Sequence, residues 1–130
     1  FARRTGTDPA AAPVMTSSHL GTQPLGGRFD GILGVLAGLE IVRTLNDANV
    51  RHEKPIDVVC WTDEEGSRFG AGCVGSNVFV GKRSVAETLA MADADSRTVG
   101  DGLQRIGYAR TDTVGGFLVD SIFKIHIAQV

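Results

Sequence analysis

Apolar and polar positions along the chain alternate with two different periods. From Gly31 to Asn46, the residues Ile32, Val35, Leu36, Leu39, Val42 and Leu45 recur at three- and four-residue intervals, which predicts a helix with one buried face. The run Ile56-Asp57-Val58-Val59-Cys60-Trp61, after Lys54-Pro55, predicts a buried strand. Pro13-Val14-Met15 predicts a short strand that ends in Thr16-Ser17-Ser18-His19. A final alternation from Phe117 to Ile127 predicts a last strand, ending at a histidine, His126.

The stretches between them are polar or rich in glycine. Phe1 to Ala12 reads as a loop or hairpin, and Asn46 to Pro55 as a polar connection. The segment between His19 and Asp30 holds Gly21, Pro24, Gly26 and Gly27, a loop whose backbone can approach closely whatever those two residues hold. Gly66 to Gly75 has the composition of an irregular active-site loop, and Ser76 to Gly81 reads as a short helical turn or an extended piece. Ser84 with Glu87 three residues on is a capping-box pattern for a helix reaching about Ala92. Either Thr98 or Asp101 starts another helix, ending at Ile106-Gly107. Strands and helices in this order predict an α/β sandwich with a largely parallel sheet.

Composition narrows the function. At 130 residues, 42% hydrophobic and 22% charged, the chain suits a soluble domain with a core. A net charge of -2, with 13 Lys and Arg residues scattered along the chain, leaves no basic stripe for phosphates, which argues against nucleic acid. Gly31 to Leu39, the longest strongly apolar stretch, is too short to span a bilayer, and no secretory signal pattern starts at Phe1. The expectation is a cytoplasmic protein. Cys60 and Cys73 form no Cys-x-x-Cys pair and read as reduced thiols. The chain starts with Phe and stops at Val130 within an apolar run, so both ends read as cut.

The chemistry concentrates in Trp61-Thr62-Asp63-Glu64-Glu65-Gly66. Three consecutive carboxylates follow a buried strand, at the sheet end where open α/β folds place their ligands. Adjacent acids repel one another unless a cation holds them. A metal ion is the economical candidate, because imidazoles and carboxylates are its ligands and His19 and Asp30 lie upstream. Taken singly, each residue has an ordinary reading: His19 as a hydrogen-bonded structural or surface histidine, Asp30 as a helix N-cap or turn residue, Glu64-Glu65 as a solvated turn. Together they suit metal-assisted hydrolysis, in which one carboxylate binds the ion and its neighbour takes a proton from water. Spacing does not decide which of Glu64 and Glu65 does which. His126 is a candidate further ligand, and Arg28 and Arg68 either contact an anionic substrate group or pair with nearby acids. The chain lacks Gly-x-x-x-x-Gly-Lys-[Ser/Thr], and Gly31-Ile32-Leu33-Gly34 fails the dinucleotide pattern, so nucleotide binding is not indicated.

Ser18-His19-Leu20-Gly21-Thr22-Gln23-Pro24, the segment from Gly26 to Glu40 and Trp61-Thr62-Asp63-Glu64-Glu65-Gly66-Ser67-Arg68-Phe69 resemble the signature segments of the hydantoinase/carbamoylase family. This family comprises N-carbamoyl-L-amino acid hydrolases, β-ureidopropionases and allantoate amidohydrolases within the dinuclear zinc peptidase superfamily. The likeness runs from about Arg3 to Gln129. It implies a three-layer α/β sandwich with a largely parallel mixed sheet, of which residues 1–130 form a partial catalytic domain. The lid and dimerisation domain and the C-terminal catalytic part lie outside it. The resemblance also implies two divalent ions (zinc, manganese, cobalt or nickel), held by His19, Asp30, Glu65 and His126 with Asp30 bridging. Glu64 becomes the general base, Gln129 lies near the substrate, the peptide at Asp30-Gly31 is strained and cis-prone, and the full-length protein is a homodimer. The implied substrate is a small carbamoyl or ureido compound.

Three positions depart from the pattern. Gly21 stands where the family has the aspartate that orients the metal-binding imidazole, Ala128 replaces a glutamate, and Lys124 replaces an acid. Gly21, Ala128 and the missing C-terminal half support an alternative expectation, a non-catalytic truncated or decayed paralogue of that family.

Overall fold

The computed structural model describes residues 1–127, and they divide into two compact units, one formed by Phe1–Trp61 with the segment from Phe117 onward, the other by Thr62–Gly116. Ala128 and Gln129 lie outside the described residues.

The first unit is built on a four-stranded sheet of β1 (Ala2–Arg4), β2 (Val14–His19), β3 (Ile56–Trp61) and β4 (Ser121–Lys124), in the order β1-β3-β2-β4. β2 runs parallel to both β3 and β4, and β1 is antiparallel to β3. The sheet is thus mixed and mostly parallel, as expected for the α/β class. The helix α1 (Ile32–Asp47), within a residue of its expected span, packs on it through glycines. A Cβ on Gly38 would stand 2.9 Å from Thr16 Cγ2 and 3.1 Å from Val58 Cγ1, so the missing side chain sets how closely helix and sheet approach. Met15 and Val59 are fully buried in this unit, beside Val58 and Val35.

Two elements, β1 and β4, differ from the sequence expectation, each because of sheet pairing. Arg3, expected in a loop or hairpin, lies in β1 opposite Asp57, and its guanidinium grips the buried carboxylate with Nε and Nη2 both at 2.7 Å from its oxygens. β2 ends at His19, as expected, and its Thr16, Ser17, Ser18 and His19 are all buried. A central strand has ladder partners on both sides for its backbone, and its small polar side chains fit beneath the helix glycines. β4 covers only Ser121 to Lys124, because its pairing runs from Val14 to Ser17 of β2.

The second unit is helical, with α2 (Val74–Phe79), α3 (Val85–Leu89) and α4 (Val99–Arg105), and Val74 and Val99 are its buried apolar residues. The segment left open between turn and extended form is helical. Ser84 caps α3 with a reciprocal Glu87 contact, and Thr98 rather than Asp101 caps α4, with Asp101 closing the second capping box. Among the described residues no helix is long and apolar enough to cross a membrane, and both cysteines are free.

Candidate metal centre

Three of the expected ligands meet within the first unit. His19 closes β2, Asp30 ends the glycine-rich loop just before α1, and His126 follows β4 by two positions. Asp30 Oδ1 lies 3.8 Å from His19 Nε2 and 3.6 Å from His126 Nε2. The two imidazole rings stand edge to face with centroids 5.9 Å apart. Parallel pairing of β4 to β2 explains the meeting, since both chains leave the sheet at the same end.

The N-cap reading of Asp30 does not hold. Gly31 is the N-cap of α1 and no side chain caps the helix, while Ile32 N–H donates to the Asp30 carbonyl at 2.8 Å. The carboxylate instead faces the histidines. Its Oδ1 is buried and hydrogen-bonds to none of the described residues. Leaving such an oxygen without a donor normally costs about 1–3 kcal/mol. The two N···O separations are too long for hydrogen bonds. They suit donors that share a cation, because two ligands about 2.1 Å from one tetrahedral ion stand about 3.4 Å apart. Two imidazoles and a carboxylate are also the donor set that zinc and similar ions take. The cluster therefore fits a divalent metal.

His19 is 1% exposed, and its Nδ1 lies 2.6 Å from the carbonyl oxygen of Gly21. The position that lacks the family's carboxylate thus supplies a main-chain acceptor. Gly31 has φ +71°, and a Cβ there would sit 2.3 Å from both Cε1 and Nδ1 of His19. Only glycine fits. No cis peptide occurs among the described residues, so the irregular backbone expected at Asp30-Gly31 takes the form of this positive φ. The sequence marks Gly21 as a missing carboxylate and Asp30-Gly31 as a strained peptide, but that either glycine positions His19 was not legible: a carbonyl is common to every residue, and Asp-Gly before a helix is ordinary turn sequence.

Glu64 and Glu65 belong to the second unit, in the turn that leads from β3 toward α2. Main-chain bonds pin that turn: Cys73 N–H donates to the Glu64 carbonyl at 2.7 Å and Gly75 N–H to Thr62 at 2.9 Å. Gly66 closes it at φ +70°, where a Cβ would lie 2.6 Å from the Ala71 carbonyl carbon. Burial pushes the neighbouring Asp63 carboxyl above the usual carboxylate range, against an opposing pull from Arg68. Arg68 itself is paired, with Nε and Nη2 each 2.9 Å from Asp93 Oδ2 and its guanidinium over the Phe69 ring. Arg28 is exposed. Gln129 and Ala128 lie outside the described residues.

The profile of peptidase family M20/M25/M40 matches residues 15–130. An N-carbamoyl-L-amino-acid amidohydrolase of Rhizobium meliloti is 46% identical over 129 residues, which is 99% of this chain and 31% of that protein. A ureidoglycolate hydrolase of Arabidopsis thaliana is 31% identical over 111 residues, 84% of this chain and 23% of that protein. Among solved structures, a hydantoinase/carbamoylase family amidase from Burkholderia ambifaria superposes with a TM-score of 0.92 at 52% identity, over 96% of this chain and 31% of that one. The chain thus spans about 31% of the length of the Rhizobium relative.

Proposed function

The chain belongs to peptidase family M20/M25/M40, and on that premise we propose that it is part of the catalytic domain of a metal-dependent amidohydrolase that cleaves a linear carbamoyl or ureido C–N bond. The observation that carries the reading is the buried Asp30 oxygen facing the Nε2 atoms of two histidines without a hydrogen bond of its own. The substrate class rests on the likeness to the carbamoyl-amino-acid and ureidoglycolate hydrolases.

His19, Asp30, Glu65 and His126 are the residues that would hold two divalent ions, zinc, manganese, cobalt or nickel. Bound there, the ions polarise the scissile carbonyl and make water acidic enough to attack near neutral pH. Glu64 takes the proton from the attacking water and returns it to the leaving nitrogen. Asp30 and the imidazoles stay fixed, which keeps the donors in place through the reaction. Gln129 and Arg28 are offered as substrate contacts. Arg68 has its charge committed to Asp93, so it would reach a substrate anion only by leaving that pair.

A homodimer in the full-length protein, from the family resemblance, and a cytoplasmic location complete the reading. The decayed-paralogue alternative drew on Gly21, whose carbonyl now occupies the role the missing aspartate would play. The test is titration of the chain with zinc or manganese, then an assay of the metal-loaded full-length enzyme on N-carbamoyl-L-amino acids and ureidoglycolate. Uptake by the cluster and release of the free amine are expected. No specific metal uptake, or uptake unaffected by loss of Asp30, overturns the reading.

A further inference from the structure

We propose that His19 is set for coordination by main chain alone, with the Gly21 carbonyl holding Nδ1–H and Gly31 keeping the ring in place, so that the bare Nε2 faces Asp30. The inference rests on the metal-centre reading and adds two positioning residues to it. A carbonyl oxygen only accepts, so at 2.6 Å the His19 Nδ1 must be the donor. A neutral imidazole carries one proton, which makes Nε2 the unprotonated nitrogen, the one able to ligate an ion. Nε2 is also the nitrogen directed at Asp30, 3.8 Å away.

The ring has little freedom to choose otherwise. His19 is 1% exposed, and the backbone of Gly31 lies so close that a Cβ would overlap Cε1 and Nδ1 at 2.3 Å and the His19 carbonyl oxygen at 2.6 Å. Gly31 is required twice, for that space and for its φ of +71°. Gly21 contributes through its carbonyl and not through any side chain. A Cβ built there meets nothing within 4 Å, so a side chain can be added at this position without displacing the carbonyl. The single Nδ1 proton is already given to the carbonyl. Orienting partners of metal-bound imidazoles usually matter by about 10-fold to 100-fold in affinity, and here that contribution is already made by the backbone.

The test is long-range proton–nitrogen NMR of the full chain, without metal, at a pH where the imidazoles are neutral, followed by zinc titration of the chain and of two variants. His19 should show a protonated Nδ1 and a bare Nε2. Gly21→Asp should keep that signature and bind zinc within about threefold of the wild type. Gly31→Ala should lose the single tautomer and bind zinc at least about tenfold more weakly. A protonated Nε2 or an averaging mixture in the wild type overturns the proposal, as does tenfold or greater tightening by Gly21→Asp. A folded Gly31→Ala chain with unchanged tautomer and affinity overturns the part assigned to Gly31. If that variant does not fold, the wild-type tautomer and Gly21→Asp still decide. A His19 ring fixed as Nδ1–H in a chain that takes up no zinc leaves this inference standing and removes the metal-centre reading, whereas zinc uptake with the opposite tautomer does the reverse.

Discussion

Nε2 of His126 stands 3.6 Å from Oδ1 of Asp30, although one residue follows the last strand and the other precedes the first helix. The two are unequal partners: Asp30 is buried and also faces His19, whereas the His126 side chain is 43% exposed. Asp30→Asn should therefore lower zinc affinity by more than about 100-fold, and His126→Ala by at least about tenfold, since loss of a direct ligand should exceed a typical outer-shell loss. Calorimetric zinc titration of the two variants checks the order. A larger loss for His126→Ala would mean that Asp30 is not the shared donor.

The assignment of the two glutamates separates by readout. In the metal-loaded full-length enzyme, Glu64→Gln should keep its metal and lose turnover by about 100-fold or more, the range of general acid–base contributions. Glu65→Gln should lose metal together with activity. Metal analysis beside a carbamoyl-amino-acid assay distinguishes them, and equal metal loss in both variants would dissolve the division of roles.

Gly34 couples the helix to the site. A Cβ there would stand 2.4 Å from the Ile125 carbonyl oxygen and 2.6 Å from Ser18 Cβ, the residues immediately before His126 and His19. Gly34→Ala gains about 1 kcal/mol of helix propensity but overpacks against main chain, which typically costs about 1–3 kcal/mol. Lower thermal stability and weaker zinc binding are expected together. A raised melting temperature would show that α1 can move away from β2 at little cost.

Acid should loosen the second unit at its caps. Hydrogen bonding from Ser84 holds the Glu87 carboxyl below its ordinary range, and Thr98 does the same for Asp101. A folded-state pKa below the unfolded one means stability that is fully present above the unfolded value, about 4, and is lost as pH falls through it toward the lowered folded value. Amide hydrogen exchange in α3 and α4 should therefore lose protection over that acidic window. Thr98→Ala should destabilise α4 by about 1 kcal/mol at neutral pH and flatten its acid response. An α4 response unchanged by this substitution would separate the effect from the cap.

Local signals carried much of the fold. The apolar period of α1, the buried run of β3 and the capping box at Ser84 depend on neighbours within a few residues, and all three elements formed, although Leu36 and Leu39 of the expected buried face of α1 are exposed and α3 ends at Leu89 rather than near Ala92. His19, Asp30 and His126 could be named as donors because imidazoles and carboxylates beside strand ends and glycine-rich loops are unusual enough to stand out.

What the chain could not declare in advance came from contacts between distant segments. Arg3 became part of a strand because Asp57 lies across from it, and β4 shrank to Ser121–Lys124 because only Val14 to Ser17 of β2 pair with it. The largest reversal is at Gly21, where the missing carboxylate read as damage. By itself the sequence determined which side chains were available to hold a metal. Tertiary structure alone decided that a carbonyl would orient His19 and that Gly31 would make room for its ring, because main-chain acceptors and absent Cβ atoms acquire meaning only once folding brings something against them.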